Sequence, residues 1–174
     1  MKIRSEQSSD AAAIRAIHTE AFGHDWEADL IDRARGWAGF DPAFSLVADD
    51  GEVVGHVMFT PVTIEDTVRS VPAVVLAPLA VRADRRGAGA GRMLVEEGLR
   101  RCKARGDRIV AVYGGPYYDR FGFTLAREAH IYRPDPVPGQ NLRVLALCEG
   151  VLSGVSGVIR YPAIFAPLLH CTEG

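Results

Sequence analysis

Cysteine is scarce in this chain, and its three residues, Cys102, Cys148 and Cys171, are odd in number and widely spaced. That pattern fits neither a disulfide framework nor a zinc set. Long apolar runs are missing as well. The longest uncharged run near the middle, residues 70–81, has 12 residues, too few to span a bilayer as a helix. The opening Met1-Lys-Ile-Arg-Ser-Glu lacks the apolar stretch of a secretory leader, so the expectation is a cytoplasmic protein with no membrane partner. Neither sign of charge dominates: a formal net charge of −2 supplies no basic field to neutralise a nucleic-acid backbone, so no nucleic-acid partner is expected. Repeats, low-complexity tracts and an interdomain linker are also absent. His18 with His24, and Asp25 with Asp29, read as a polar helix face, so no metal is expected.

What remains is an ordinary globular composition: 174 residues, 48% apolar and 24% charged, enough for one domain over 1–174. A monomer or homodimer is expected. Residues 2–4 read as an opening strand. Asp10 is placed to cap a helix over 11–22, with Ile14, Ile17 and Ala21 on its inner face and Gly23 as its stop. Trp26, Leu30, Ala34 and Trp37 recur at helical spacing. Residues 44–48 and 52–60 flank Asp50-Gly51 as a hairpin, and a strand follows over 73–81. A helix over 91–105 turns Val95, Leu99 and Cys102 inward, with Glu96/Arg100 and Glu97/Arg101 paired outside. Another strand covers 108–113, and the proline-rich stretch 134–139 reads as a rigid surface loop. Hairpins followed by one β-α-β crossover imply an α/β chain with a mixed, mostly antiparallel sheet and helices on both faces.

The densest signal is the strand ending at Val81 followed by Arg86-Gly-Ala-Gly-Ala-Gly-Arg92 at a helix start. Amides at a helix N-terminus have no intrahelical acceptor, and the helix dipole adds partial positive charge there. Glycines let such a backbone approach a phosphate closely. The spacing is not that of a dinucleotide loop, since Arg92 stands where the third glycine of G-x-G-x-x-G would fall. Nor is it a Walker loop, because Arg92-Met93 supplies no Gly-Lys-Ser/Thr. The alternative is a turn that only joins strand to helix.

Arg86-x-x-Gly89-x-Gly91, with Leu79-Ala-Val before it and Met93-Leu94 after it, resembles the Q/R-x-x-G-x-G/A pyrophosphate loop of the GNAT N-acetyltransferases. Tyr117-Tyr118-Asp-Arg-Phe-Gly-Phe123 is similar to the same family's Tyr-x-x-x-Gly-Phe element, in the right order and at compatible spacing. The resemblance covers residues 1–125 firmly and the last fifty loosely, and within the family it points to a subgroup of predicted bacterial acetyltransferases. It implies the GNAT acyl-CoA N-acyltransferase fold, acetyl-CoA as cosubstrate without a metal, and transfer to a primary amine of a small molecule or protein.

Carried onto this chain, the resemblance puts the pyrophosphate on the backbone of Gly87, Ala88, Gly89, Ala90, Gly91 and Arg92, with Arg86 shaping the loop or adding charge. The pantetheine arm falls beside Leu79, Ala80 and Val81. Pro78 there removes a ladder donor, marking either a bulge or an edge strand. Tyr118 matches the family's general acid, since a phenol that stays protonated at neutral pH suits donation to a leaving thiolate. Residues 73–81 hold no acid, where many family members have a glutamate. That leaves His56, acting through water, or water alone as the base. A non-catalytic acyl-CoA-binding module stays open as an alternative, as do O-acetylation and a longer acyl donor.

Overall fold

The computed structural model describes residues 1–135 and 141–166, so part of the expected proline-rich loop lies outside the described residues. The backbone divides into two compact units. One holds Met1–Thr60 and Ala77–Arg101, the other Pro61–Leu76 and Cys102–Gly174.

In the first unit β1 (Lys2–Ser5), β2 (Ser45–Asp49), β3 (Val53–Glu65) and β4 (Ser70–Val81) lie side by side in that order. β1 and β2 run antiparallel with Lys2 opposite Asp49, and β2 and β3 run antiparallel with Val47 opposite His56. α1 (Ala11–Phe22) stops at Gly23, whose φ of 76° ends the helix in the left-handed conformation. Asp10 stands at the N-cap position but makes no side-chain cap. Its carboxylate takes Arg4 and the Gln7 amide instead. Ile14 and Ile17 are buried as expected, but Ala21 is only half-buried, and His18 is fully buried in place of the expected polar face. In α2 (Trp26–Arg35) the inner face is Ala28, Leu30, Ile31 and Ala34, while Trp26 is 44% exposed. Arg15 of α1 bridges to Asp29 and Asp32 of α2 at 2.8 and 2.7 Å.

α3 (Ala90–Arg105) turns Leu94, Val95, Gly98 and Cys102 inward, whereas Leu99 is only half-buried. Glu97 pairs with Arg101 as expected. Glu96, however, takes Arg92 one turn earlier, and Arg100 turns to Glu97.

In the second unit β4 runs parallel to β5 (Ile109–Tyr113), with Val74 to Leu76 opposite Val110 to Val112. Pro78, with no N–H to donate, lies two residues beyond the last of those pairs. β5 pairs antiparallel with β8 (Leu142–Ala146), which also pairs with β6 (Thr124–Leu125). β9 (Gly157–Arg160) runs antiparallel to the end of β3 and parallel to β7 (Ile131–Tyr132). The sheet is mixed. No helix among the described residues is long and apolar enough to cross a membrane.

Candidate active site

After β4 ends at Val81, one 3-10 turn over Ala83–Arg85 leads into the glycine loop. Gly87 and Gly89 take φ of 80° and 90°, the left-handed region that strains any residue with a side chain. Among the described residues, no atom beyond the two flanking residues lies within 4 Å of where a Cβ would stand on either. The conformation, not crowding, selects glycine there, and it leaves open space above the loop. The bond from the Met93 amide to the Gly89 carbonyl, 3.0 Å, opens α3 and leaves the amides of Gly89, Ala90 and Gly91 ahead of the ladder. Ala90 is buried and fixes the helix start, while Arg86 to Gly89 are exposed. An anion is the natural complement of such a helix head.

The arginines around the loop differ in what they hold. Arg82 binds Glu52 at 2.8 Å and Asp84 at 2.6 Å, and Arg85 binds Asp50 at 2.9 Å. Arg86 instead donates its Nε to the Val81 carbonyl at 3.2 Å, folding back over the end of β4. It therefore shapes the loop, and no carboxylate among the described residues pairs with its charge.

His56 has a different fate from the one expected. Its side chain is wholly buried, with Nε2 2.8 Å from Ser45 Oγ and Nδ1 2.9 Å from His18 Nε2. Ser45 Oγ donates to Glu6 Oε2 at 2.8 Å, and Arg35 Nε donates to Glu6 Oε1 at 2.9 Å. Proton bookkeeping along this chain fixes the tautomers. If the serine proton goes to Glu6, Ser45 Oγ accepts from His56 Nε2–H, and His56 Nδ1 accepts from His18 Nε2–H. His18 Nδ1 is then the one ring nitrogen left over, and it is buried without a partner among the described residues. Burial lowers the His56 pKa more than Glu6 raises it. Burial, with His56 and Arg35 adding to it, takes His18 down to about 2. Burial pushes Glu6 up, but hydrogen bonds from His56, Arg35 and Ser45 outweigh it and hold the carboxyl at about 2. The base expected at His56 is corrected by this geometry: both ring nitrogens are engaged inside the core, and neither meets a substrate.

In the second unit a six-residue 3-10 segment, Pro116–Phe121, follows β5 and closes at Gly122. Tyr118 sits in it with its ring edge-on to Tyr117 at 5.2 Å and to Phe123 at 5.9 Å. The same ring covers Gly114, where a Cβ would come within 2.7 Å of Tyr118 Cε2. Burial, with a smaller push from Tyr117, raises the Tyr118 phenol to about 12, so it keeps its proton well above neutral pH. Tyr117 is 37% exposed and lies under the Arg120 guanidinium at 4.7 Å.

Arg143 went unrecognised in the sequence. On β8, 6% exposed, it donates Nε to the Gly114 carbonyl at 3.3 Å and pairs with the Asp119 carboxylate. It thus ties both ends of the segment that carries Tyr118. The only signal was a lone arginine inside the apolar run Leu142-Arg-Val-Leu-Ala.

Residues 2–126 match the family model of the acetyltransferase (GNAT) domain. The chain belongs to the GNAT acetyltransferase family. A curated relative, the uncharacterized N-acetyltransferase YhbS of Escherichia coli (strain K12), is 35% identical over 162 residues, which cover 92% of this chain and 96% of that protein. The fold is similar to the crystal structure of E. coli YhbS in complex with CoA, with a TM-score of 0.83 at 36% identity, covering 95% of this chain and 91% of that one. It is also similar to a GNAT family acetyltransferase from Brucella melitensis in complex with acetyl-CoA, with a TM-score of 0.75 at 30% identity, covering 94% and 97%. The GNAT fold expected from the two motifs is therefore the fold of this chain, and the chain is an acetyltransferase.

Proposed function

We propose that this GNAT acetyltransferase binds acetyl-CoA and transfers the acetyl group to a primary amine by direct attack. The observation that carries the reading is the open left-handed glycine loop at the head of α3, whose unbonded amides fit a pyrophosphate. The solved relatives bound to CoA and acetyl-CoA support it. The backbone of Gly87 to Arg92 holds the phosphates and that of Leu79 to Val81 the pantetheine arm. The amine nitrogen bonds to the thioester carbonyl carbon and the C–S bond breaks. The Tyr118 phenol gives its proton to the departing sulfur. With β4 free of acids and His56 committed to the core, water takes the amine proton, and proximity supplies most of the rate. Residues 1–174 act as one catalytic domain, in the cytoplasm.

The test is calorimetry with acetyl-CoA on the parent and on Gly89→Val. The expected result is loss of binding by a folded variant, because a β-branched residue strains at φ 90° and its Cβ fills the space above the amides. Unchanged affinity makes the loop a connector. The acid-free strand also fits a second reading, an acyl-CoA-binding regulatory module. Thiol release from acetyl-CoA with a mixed-amine panel separates the two, since a regulatory module binds and releases nothing.

A further inference from the structure

A cavity of about 270 Å³ opens in the second unit at the C-terminal end of β5. Its polar lining is Tyr113, Tyr132, Arg127, Arg133 and Asn141, and three aliphatic side chains complete it. No acid lines it among the described residues. The cavity is tied to the segment that carries Tyr118: the Gly114 amide, one residue beyond Tyr113, donates to the Asn141 carbonyl at 3.1 Å.

Arg133 is held as a binding group would be. Its guanidinium carbon stands 3.8 Å over the Tyr113 ring, which fixes the plane of the fork. Its Nε is buried with no hydrogen-bond partner among the described residues. A buried donor left unmade is costly unless something completes it. Arg127 reaches Asn141 Oδ1 only at 3.5 Å, too long to satisfy a guanidinium. Two cations therefore face a small aromatic and aliphatic space, and no acid among the described residues lines it opposite them. The complement of a guanidinium fork is a carboxylate.

We propose that this cavity is the acceptor site, and that the acceptor is a small primary amine bearing a carboxylate and an apolar or aromatic body. Arg133 takes the carboxylate with Arg127 beside it, and the Tyr113 and Tyr132 rings cover the body. The volume lies just under the roughly 300–1,000 Å³ usual for ligand sites, which sets the size limit. Polyamines and other polycations are disfavoured by the same two charges. Fixed cations also favour the neutral form of a nearby amine, which is the form that attacks. This supplies part of what the missing strand acid would do. The proposal rests on the acetyl-transfer reading for its function and on the cavity alone for its ligand.

The binding arm uses matched probes, 3-phenylpropanoate and 3-phenylpropan-1-ol, titrated calorimetrically into the parent protein, Arg133→Met and Arg127→Gln. Folding of each variant is checked by its melting curve. The carboxylate is expected to bind the parent about ten- to a hundredfold more tightly than the alcohol, the worth of one charge-assisted hydrogen-bond pair. Arg133→Met, which keeps the apolar stem over Tyr113, is expected to erase that preference, and Arg127→Gln to reduce it. Equal binding of the two probes, or an undiminished preference in Arg133→Met, overturns the proposal. The kinetic arm compares thiol release from acetyl-CoA with L-phenylalanine and with phenethylamine. Higher kcat/KM for phenylalanine supports the assignment, and equal or lower kcat/KM overturns it. If no amine releases thiol while 3-phenylpropanoate still outbinds the alcohol, the carboxylate site stands and acetyl transfer falls.

Discussion

Tyr118 earns its proposed role from where its proton sits. A phenol raised to about 12 by burial is protonated at any physiological pH, and a thiolate leaving from a thioester needs that proton late in the reaction. Tyr118→Phe keeps the ring against Phe123 and over Gly114, so packing survives. The expected loss is about 10²–10⁴ in kcat, the usual contribution of a placed acid, with acetyl-CoA affinity within a few-fold. Tyr117→Phe changes little, since Tyr117 lies partly in solvent. Parental turnover by Tyr118→Phe returns the residue to a packing role. Arg143 acts through Tyr118: its guanidinium holds the Gly114 carbonyl and the Asp119 carboxylate. Arg143→Met preserves volume but frees the segment, so kcat is expected to fall about tenfold or more while acetyl-CoA binding holds, as misplacement of a reacting group predicts. A purely structural arginine would instead lower the melting temperature with kcat per folded molecule unchanged.

Between strand and helix, the site and the scaffold differed in how far sequence revealed them. The family was readable because the glycine loop carries its signal in backbone spacing, and the tyrosine segment because glycine and aromatics recur there at a fixed interval. Helix spans were close, yet their faces were not. His18 went inward because Ser45, His56, Glu6 and Arg35 await it from distant elements, and no local pattern reports partners that far apart. Trp26 went outward although its spacing fitted a buried stripe, since smaller residues filled α2's inner face. Glu96 chose Arg92 over Arg100 where spacing allowed either. β7 and β9 were missed because strands of 2 and 4 residues exist only through their partners. Gly98 shows the same limit with a testable edge. Inside α3, propensity alone favours alanine by about 1 kcal/mol. A Cβ there would lie 2.0 Å from Phe59 Cε2, and Phe59 is 3% exposed with little room to move. Gly98→Ala is therefore expected to destabilise by about 1–3 kcal/mol in urea unfolding, the cost of overpacking. A gain in stability would mean that Phe59 repacks freely.

For the molecule as a whole, the buried polar chain sets the response to acid. The groups that face it are Glu6 and Asp10 near β1, Arg4 on β1, His18 on α1, Arg35 on α2, and Ser45 and His56 on β2 and β3. An unfolded histidine takes a proton near 6.5, whereas folded His18 resists until about 2. The unfolded chain thus binds more protons through that window, and folding free energy falls as pH drops below 6.5. Glu6 adds to the loss from the other side. Its folded pKa of about 2 lies below the unfolded 4.5, so its contribution is complete above 4.5 and lost as pH falls towards 2. The predicted profile is flat from pH 7 to 8 and declines from 6.5, by at most about 1.4 kcal/mol per pH unit for each proton bound. It steepens below 4.5. His18→Gln isolates the histidine part, because its amide still donates to His56 Nδ1 but does not titrate. Urea unfolding of the parent and of His18→Gln at half-unit steps from pH 4 to 8 is the measurement. The variant is expected to lose less stability between pH 6.5 and 4.5. Superimposable profiles would mean that His18 does not govern the acid limb between pH 6.5 and 4.5.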